Sequence, residues 1–416
     1  MAIDVADLPR LIVAAKAALR AALPNHAEIF AEVSAELTRE ADAIAARHAA
    51  GDPIVPSVAY ADIVAGRVPA EQVAAIHRHG CVVVRGVFPR ERAERWDREL
   101  LDYVQSNGYI EKSKAKAGLD KYFSALKSGR PQIYGIYWSH PQIEARQAES
   151  MTTTRSWLNR LWQWKSGDTA LFDPDLDCIY ADRIRQREPG DSTLGLSPHV
   201  DGGTVERWID PGFRHVFRNV FNGHWRDFDP WNAEGRIDTQ EIPSPAVCRM
   251  FRTYQGWTAL TEQGPGGGTL QLVPMVRAMI YMLLRPLQDD VPEGDLCGAQ
   301  AGRALRLHEQ WHAPLLRALV PVPKVQPGDT VWWHPDVVHA VEDHNSGPGY
   351  SSVIYVGSAP DCAKNRAFLA LQRAAFLAGR SSPDFVAEDY EVDFKGRATE
   401  ADLTALGRRQ MGFAAH

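Results

Sequence analysis

Several features that would assign a protein to a specialised class are missing from this sequence. No stretch approaches the roughly 20 apolar residues that are needed to span a bilayer. No dense block of lysine and arginine occurs, and the formal net charge is −6. We therefore expect neither a nucleic acid nor a membrane as a partner.

Cysteine is scarce, with five in 416 residues. The cysteines are widely spaced and no C-x-x-C occurs, so neither a disulfide framework nor a thiolate zinc site is indicated. The stretch MAIDVADLPRLIV at the start has acidic residues where a signal peptide would be basic. These observations predict a cytoplasmic protein with reduced thiols.

The composition that remains is that of an ordinary globular protein, with 45% hydrophobic and 24% charged residues. Amphipathic helical patterns fill the first 80 residues, and from about 178 to 358 short β-type runs alternate with Gly/Pro-rich turns. We predict an N-terminal helical segment (1–75) that packs on a β-rich domain (76–362), followed by a C-terminal helical extension (363–416). The three parts are expected to form one compact unit, and homo-oligomerisation stays open.

A long insertion interrupts the β region near 204–245 and is rich in Trp, Asp and Pro. A loop of this length within a compact domain is usually functional or disordered. Its aromatic content favours an ordered segment, and Trp225 and Trp231 are candidates for a lid that excludes water from a site.

One candidate metal site is the stretch HEQWH, with His308, Glu309 and His312. It matches H-E-x-x-H, in which two histidines on one helical turn bind zinc and the glutamate activates a water. However, Pro314 shortens any helix here, and no third ligand lies on a second helical pattern. The alternative interpretation is a helix whose apolar residues pack inward while its histidines face solvent, and we favour it over a zinc hydrolase.

A second candidate begins at His199-Val200-Asp201, where an imidazole and a carboxylate two residues apart point to one face of a strand. The pattern is weak alone, and His334-Pro335-Asp336 repeats it. Its partner is PGDTVWWHPDVVHAVEDHN, in which a turn separates an alternating strand from His339. Two histidines and one carboxylate form the facial triad that leaves coordination positions open on Fe(II). A compact site of His334, Asp336 and His339 is disfavoured because Pro335 and the turn would direct these side chains apart.

H-x-D followed much later by G-D-x-x-x-W-H-x-x-x-x-H resembles the iron(II)- and 2-oxoglutarate-dependent oxygenases of the phytanoyl-CoA dioxygenase branch. The sequence is most similar to the YbiU-like domain-of-unknown-function family of that superfamily. The matching blocks run in family order: HGCVVVRGVFP (79–89), YGIYWSHPQIEARQ (134–147), YADRIRQREPGDSTLGLSPHVDGGTVERW (180–208), QGWTALTEQGPGGGTLQLVP (255–274), PGDTVWWHPDVVHAV (327–341) and YSSVIYVGSAP (350–360).

The resemblance implies a fold and a set of ligands. The fold is mainly β with α, namely a double-stranded β-helix (a cupin-like jelly roll) wrapped by N- and C-terminal helices. The metal ligands are His199, Asp201 and His339, with His334 left as a strand residue. Because Asp201 fills a position that a halide would need, hydroxylation or desaturation is expected rather than halogenation.

The resemblance also implies 2-oxoglutarate as co-substrate and O2 as oxidant, with release of succinate and CO2. Many relatives have an Arg-x-Ser after the last histidine, but here Tyr350 replaces the arginine and only Ser352 matches. We predict Arg252 as the cation for the far carboxylate of 2-oxoglutarate, with Thr258 as a hydroxyl donor. The alternatives that stay open are Arg183, Arg185, Arg366 and Thr269.

The predicted substrate is a small polar molecule, of anionic or zwitterionic character. Aromatic and basic side chains near the metal strand are candidates for its contacts, namely Tyr134, Tyr137, Trp138, Arg207 and Trp208. A cupin-like protein that binds metal or ligand without redox chemistry is a further alternative.

Overall fold

A computed structural model describes residues 5–115, 131–190, 196–244 and 247–414 of the chain. Residues 191–195, which belong to the block around His199, and residue 245 at the end of the insertion fall outside these ranges. The α-helices of the described residues are α1 Leu8–Ala22, α2 His26–Ala49, α3 Tyr60–Val64, α4 Ala70–His79, α5 Arg90–Ser106, α6 Tyr109–Ala115, α7 His140–Arg146, α8 Glu149–Asn159, α9 Glu206–Ile209, α10 Pro211–Val216, α11 Arg218–Phe221, α12 Ala278–Leu284, α13 Glu309–Leu316, α14 Ala363–Ala378 and α15 Ala405–Gln410.

The β-strands are short, except for the last one. They are β1 Ser57–Ala59, β2 Cys81–Arg85, β3 Ile133–Tyr134, β4 Lys165–Ser166, β5 Thr169–Ala170, β6 Asp173–Cys178, β7 Ile184–Arg187, β8 Leu196–Val200, β9 Tyr254–Ala259, β10 Leu270–Leu272, β11 Leu305–Arg306, β12 Val320–Pro321, β13 Thr330–Trp333, β14 His339–Val341 and β15 Ser351–Asp361.

Two sheets contain nearly all of these strands. The larger sheet has the order β1-β2-β13-β9-β15-β7-β3, with β6 also paired to β15, and the smaller sheet has the order β11-β8-β14-β10-β12. Along the chain, β7, β9, β13 and β15 belong to the larger sheet, whereas β8, β10 and β14, which lie between them, belong to the smaller one. The chain therefore passes back and forth between the sheets.

An apolar cluster lies between the two sheets. Trp257, Val331 and Val353 of the larger sheet pack in one cluster with Leu270 and Leu272 of the smaller sheet. Since successive side chains of a strand point to opposite faces, this cluster identifies which residues of each strand face the space between the sheets.

The N-terminal helices cover the smaller sheet. In α2 the buried residues recur at intervals of three or four, which is one face of a helix. Two of them, Val33 and Leu37, share a core cluster with Val200, Val320 and Val338 of the smaller sheet and the adjoining turn. The prediction of helices in this region agrees with the described elements.

The insertion is ordered where it is described, as its aromatic content predicted. It forms the three short helices α9, α10 and α11. Trp225 is 1% exposed and Trp231 is 6% exposed, and each packs in a core cluster of the protein. Both indoles are therefore part of the core, which contradicts the expectation that they form a movable lid.

The chain is a mixed α/β protein rather than a mainly β one, because helices occupy both ends, the insertion and several connections between strands. No helix among the described residues is both long and apolar enough to cross a membrane.

Candidate metal site

Strand pairing brings the three predicted ligands together. Strands β8 and β14 are antiparallel neighbours, with His199 directly opposite His339. Asp201 follows the end of β8 and lies on the same side as His199, two residues earlier. The potential ligand atoms of the three side chains all lie within 4.8 Å of one another, and they form the one such His/Cys/Asp/Glu group found among the described residues.

Both imidazoles present the same nitrogen to this centre. His199 Nδ1 lies 2.7 Å from the carbonyl oxygen of Ser197, and His339 Nδ1 lies 3.4 Å from that of Val337. Because a carbonyl can only accept, each Nδ1 carries the proton, and the lone pair of the neutral ring is on Nε2. His199 Nε2 is 3.8 Å and His339 Nε2 is 3.5 Å from the Asp201 carboxylate, so both lone pairs face it.

The carboxylate is held by a pair of side chains behind it. Gln255 Nε2 donates to Asp201 Oδ2 over 2.8 Å, and Trp333 Nε1 donates to Gln255 Oε1 over 2.5 Å. Gln255 lies on β9 and Trp333 on the neighbouring β13, opposite each other in the sheet register. Such partners fix the orientation of ligand groups and tune their basicity.

The protonation states suit a dication. Burial and the neighbouring His339 lower the pKa of His199 to about 4, so its ring is neutral at neutral pH. Burial acts to raise the pKa of Asp201, but its interactions with His339 and His199 outweigh this and hold the pKa well below its usual range. Two imidazoles beside an ionised carboxylate are the donor set that divalent iron accepts, so these residues fit such a metal.

A buried ion-pair network holds the loop that carries Asp201. Arg207 donates to the carbonyl oxygens of Asp201 and Gly202 over 3.3 and 3.1 Å and to Asp336 over 3.1 Å. Arg236, from the insertion, donates to the other oxygen of Asp336 over 2.7 Å. Arg207 is thus engaged in positioning this loop, with 2% of its surface exposed.

His334 does not face the metal centre. Its Nδ1 accepts from the backbone N–H of Asp336 over 3.0 Å, its Nε2 lies 3.0 Å from the Pro230 carbonyl oxygen, and its ring stacks on Trp162. The ring therefore fixes the turn after β13, as its assignment outside the ligand set requires.

Two of the three predicted 2-oxoglutarate contacts point away from the metal centre. On β9, Gln255 faces the metal centre and Trp257 faces the space between the sheets. Thr258, which follows Trp257, therefore points to the opposite side of the sheet. Ser352 Oγ accepts from Gln186 over 3.3 Å, and Ser352 lines a small cavity beneath α5, on the outer face of the larger sheet. Ser352 was predicted from its distance along the chain from the last histidine, and this distance does not show which face of the strand the side chain is on.

Arg252 is close to the candidate site, although it precedes β9 rather than lying within a strand. It lines a narrow cavity of about 50 Å³ together with Asp201 and Gly202. The other arginine candidates differ: Arg366 is exposed and paired with Asp361, and Arg183 lies over the ring of Phe385.

Arg185, one of the alternatives that the sequence left open, is a buried arginine without a carboxylate partner in the described part of the chain. It is 2% exposed and points between the sheets, where its nearest polar contact is Gln263 Oε1 at 3.4 Å. Its Nε has no hydrogen-bond partner, and no carboxylate among the described residues is within ion-pair distance of its guanidinium. In the sequence Ile184-Arg185-Gln186-Arg187 is an ordinary polar stretch, and only the structure shows that this strand is buried on both sides.

The remaining substrate candidates are core residues. Tyr134, Tyr137, Trp138 and Trp208 are each at most 2% exposed. Trp208 donates to the Leu283 carbonyl, and Trp138 donates to that of Arg380. Neither indole is available to a ligand, so these contacts are structural.

HEQWH does not assemble a zinc site in the described structure. The helix begins at Glu309, so His308 precedes it and is not on the same helical face as His312. His312 Nδ1 accepts from the backbone N–H of His308 over 3.0 Å, and Glu309 is exposed. The expectation that both histidines face solvent is wrong for His312, which is 2% exposed because it packs beneath the helix.

Comparisons with known proteins agree on one family. The Gig2-like family profile matches residues 6–413. The Escherichia coli (strain K12) protein YbiU is 46% identical over 399 residues, covering 95% of this chain and 94% of that protein.

Two solved structures are similar over almost the whole chain. One, from Salmonella typhimurium LT2, is named "Putative Oxidoreductase"; it has a TM-score of 0.92 and 42% identity and covers 98% of both chains. The other is the GlcNAc-inducible gene 2 protein of Candida albicans, with a TM-score of 0.82 and 26% identity over 97% of this chain and 89% of that one. These matches confirm the YbiU-like resemblance of the sequence blocks, and the chain belongs to the Gig2-like family.

Proposed function

We propose that this protein is a non-haem iron(II)- and 2-oxoglutarate-dependent oxygenase that hydroxylates a small polar molecule. The observation that carries the proposal is the convergence of two Nε2 lone pairs and one carboxylate in the group His199, Asp201 and His339. Three protein ligands on one side of a metal leave the other positions for a chelating co-substrate and dioxygen. The name of the Salmonella relative, an oxidoreductase, agrees with this class of reaction.

The strand order supports a double-stranded β-helix. In the larger sheet the order β13-β9-β15-β7, and in the smaller sheet the order β8-β14-β10-β12, bring successive strands of the chain into opposite sheets. Such an alternation is expected of a jelly roll, in which a ligand site opens at one end between the sheets. The group of His199, Asp201 and His339 lies where β8 ends and its neighbour β14 begins, which agrees with a site at one end of the paired strands.

Bound iron(II) would supply the oxidation: one oxygen atom of O2 enters a C–H bond of the substrate, and the other enters 2-oxoglutarate, which leaves as succinate and CO2. The residues of the chain orient and stabilise the participants. Gln255 and Trp333 keep the Asp201 carboxylate directed at the centre. The carbonyls of Ser197 and Val337 keep both imidazoles in the ligating tautomer.

Arg185 is the residue that we assign to the far carboxylate of 2-oxoglutarate, in place of Arg252. A buried guanidinium without a counter-ion is unfavourable unless a ligand supplies one, and a carboxylate matches its planar donors. Tyr355 lies within electrostatic range of both Arg185 and Asp201. Burial raises the pKa of Tyr355, so its hydroxyl stays protonated and can donate to the same carboxylate.

An anaerobic titration of metal-free protein with Fe(II) and then 2-oxoglutarate tests the proposal through the visible charge-transfer band of the chelate. We expect the band in the wild type and in His308→Ala, and its absence in Asp201→Ala. Arg185→Gln should raise the apparent Kd for 2-oxoglutarate by about tenfold or more, because a buried charge-assisted contact is lost. The exposed Arg366→Gln serves as the matched control.

Two results would reject the proposal. Absence of the band in a wild type that retains zinc through His308 would favour a hydrolase. A band without succinate formation under air, with or without candidate substrates, would favour a metal-binding protein without redox chemistry.

A further inference from the structure

The narrow cavity beside the candidate metal site, with a volume of about 50 Å³, has more cationic than anionic side chains. Four cationic residues and three carboxylates line it. Three of the cations are satisfied within the protein: Arg207 and Arg236 both bind Asp336, and Lys364 binds Glu241. Arg252 is the fourth.

Arg252 is a buried cation without a counter-ion. It is 8% exposed, and among the residues that the structure describes no carboxylate lies within ion-pair distance of its guanidinium and no group accepts a hydrogen bond from it. Asp201 shares the cavity and interacts with Arg252 only at longer range, because its carboxylate faces His199 and His339. Buried charges in proteins are normally paired, so this guanidinium lacks a partner that a ligand could supply.

The side chain is nevertheless held in place. Its guanidinium lies over the ring of Tyr180, with 5.0 Å between the guanidinium carbon and the ring centroid. Its stem passes Gly357 of β15 so closely that a Cβ at that position would lie 3.1 Å from Arg252 Cδ. A cation that is oriented by an aromatic face and a glycine, with its donors free, is preorganised for an external anion.

From this geometry we propose that the substrate carries a terminal oxyanion, a carboxylate or a phosphate, and that Arg252 anchors it in the cavity next to the metal centre. This inference rests on the proposed function, because it assumes that the cavity receives the molecule to be oxidised. The planar fork of arginine binds either oxyanion through two parallel hydrogen bonds.

The other residues that line the cavity indicate the polarity and size of the rest of the substrate. Phe213, Met250 and Phe251 form an apolar side, and Thr239 lies on the polar side near the Lys364–Glu241 pair. Such a cavity suits a compact molecule with one charged end and a short carbon chain. Arg252 and Arg185 are thus assigned to different anions, one to the substrate in the cavity and one to the co-substrate between the sheets.

Isothermal titration of metal-free protein with inorganic phosphate, glycerol 3-phosphate, glycerate and uncharged glycerol tests the assignment. We expect the wild type to bind phosphate and at least one of the two charged glycerol derivatives at millimolar concentration, and not to bind glycerol. Comparison of glycerol 3-phosphate with glycerate distinguishes a phosphate from a carboxylate. Arg252→Gln should weaken anion binding by about tenfold or more, whereas Arg366→Gln, at an exposed position outside the cavity, should leave it unchanged.

Arg252→Lys is a second variant in case Arg252→Gln fails to fold. It keeps the positive charge over Tyr180 but lacks the planar guanidinium, so we expect an intermediate anion affinity. Equal anion affinity in the wild type and both Arg252 variants, or no anion binding by the wild type, would overturn the inference. The readout needs neither iron nor 2-oxoglutarate. Loss of the charge-transfer band with Arg252-dependent anion binding retained would therefore reject the oxygenase and leave the anion site standing.

Discussion

At the residue scale, the same backbone contact orients both histidines of the candidate site. Each histidine bonds through Nδ1 to the carbonyl two residues before it, Ser197 for His199 and Val337 for His339. The two histidines face each other across paired strands, with their ring centroids 4.2 Å apart. The backbone itself thus selects the tautomer that can bind a metal.

Gln255→Ala should weaken Fe(II) binding by about 10- to 100-fold, because Asp201 loses the amide that orients it. The affinity is measured anaerobically by competition with a coloured chelator. Gln271→Ala is the control, since Gln271 lies on β10 and lines a surface cavity on the outer side of the smaller sheet. Equal losses in the two variants would show that Gln255 does not act through Asp201.

The stability of the metal-free protein should fall in acid because His334 is buried as a neutral ring. Burial lowers the pKa of His334 to about 3 from 6.5, so between these values the unfolded chain binds a proton that the folded chain does not. This contribution to stability is present above about pH 6.5 and is lost as the pH falls toward 3. From pH 7 to 5 the loss is about 2 kcal/mol for this group alone.

Denaturant unfolding at pH 7, 6 and 5 measures this slope. In His334→Asn the dependence on pH should be weaker by that amount, although the variant also loses the stacking on Trp162. His48→Asn, at an exposed position of α2, should retain the wild-type slope. An unchanged slope in His334→Asn would mean that other groups account for the acid sensitivity.

The H-x-D spacing on a strand, together with the family resemblance that selected His339, predicted the group of His199, Asp201 and His339. They were not enough for the residues around it. The surroundings of Arg185 and Gln255 depend on how their strands align with the neighbouring strands. This register cannot be read from the sequence of one strand. Ser352 fails for the same reason, since a shift of one residue on β15 moves a side chain to the other face.

At the element scale, the positions of helices and strands were predicted better than their lengths. The C-terminal extension that was predicted from residue 363 does begin with a helix, Ala363–Ala378, which ends at Gly379. Within the predicted β region, β9 begins only at Tyr254, and the residues just before it line the cavity with Arg252. Demands of a site override local propensity there.

Gly80, in the turn between α4 and β2, packs against Val337, whose carbonyl contacts the candidate ligand His339. Its φ is +68°, and a Cβ there would lie 2.5 Å from a methyl carbon of Val337. Gly80→Ala should therefore reduce the free energy of unfolding by about 2–4 kcal/mol. It should also weaken Fe(II) binding, because the Val337 carbonyl holds His339.

Gly66→Ala is the matched control for this substitution. Gly66 has a similar φ of +63° but no atom within 4 Å of an added Cβ, so only the backbone term of about 1 kcal/mol is expected and no change in metal affinity. Chemical denaturation and the chelator competition measure both effects. If Gly80→Ala behaved like Gly66→Ala, the contact with Val337 would be irrelevant to the site.

At the scale of the whole molecule, the N-terminal helices and the smaller sheet share one apolar cluster. Leu19, Val33 and Leu37 pack in that cluster with strand residues such as Val200 and Val320. The ammonium group of Lys16, on α1, is fully buried and donates to three backbone carbonyls of residues 291–295. Such contacts couple the stability of the helices to that of the sheets, and we expect one cooperative transition.

Leu37→Ala tests this coupling far from the candidate site. Leu37 is 1% exposed, and its truncation should lower the free energy of unfolding by about 2–5 kcal/mol. Far-UV circular dichroism and tryptophan fluorescence, which reports on the β core, should shift to the same lower Tm. The exposed Glu28→Ala on the same helix should change stability by about 0.5 kcal/mol or less. Two separate transitions, or fluorescence that melts at the wild-type temperature while the helical signal melts earlier, would mean that residues 1–75 unfold independently of the sheets.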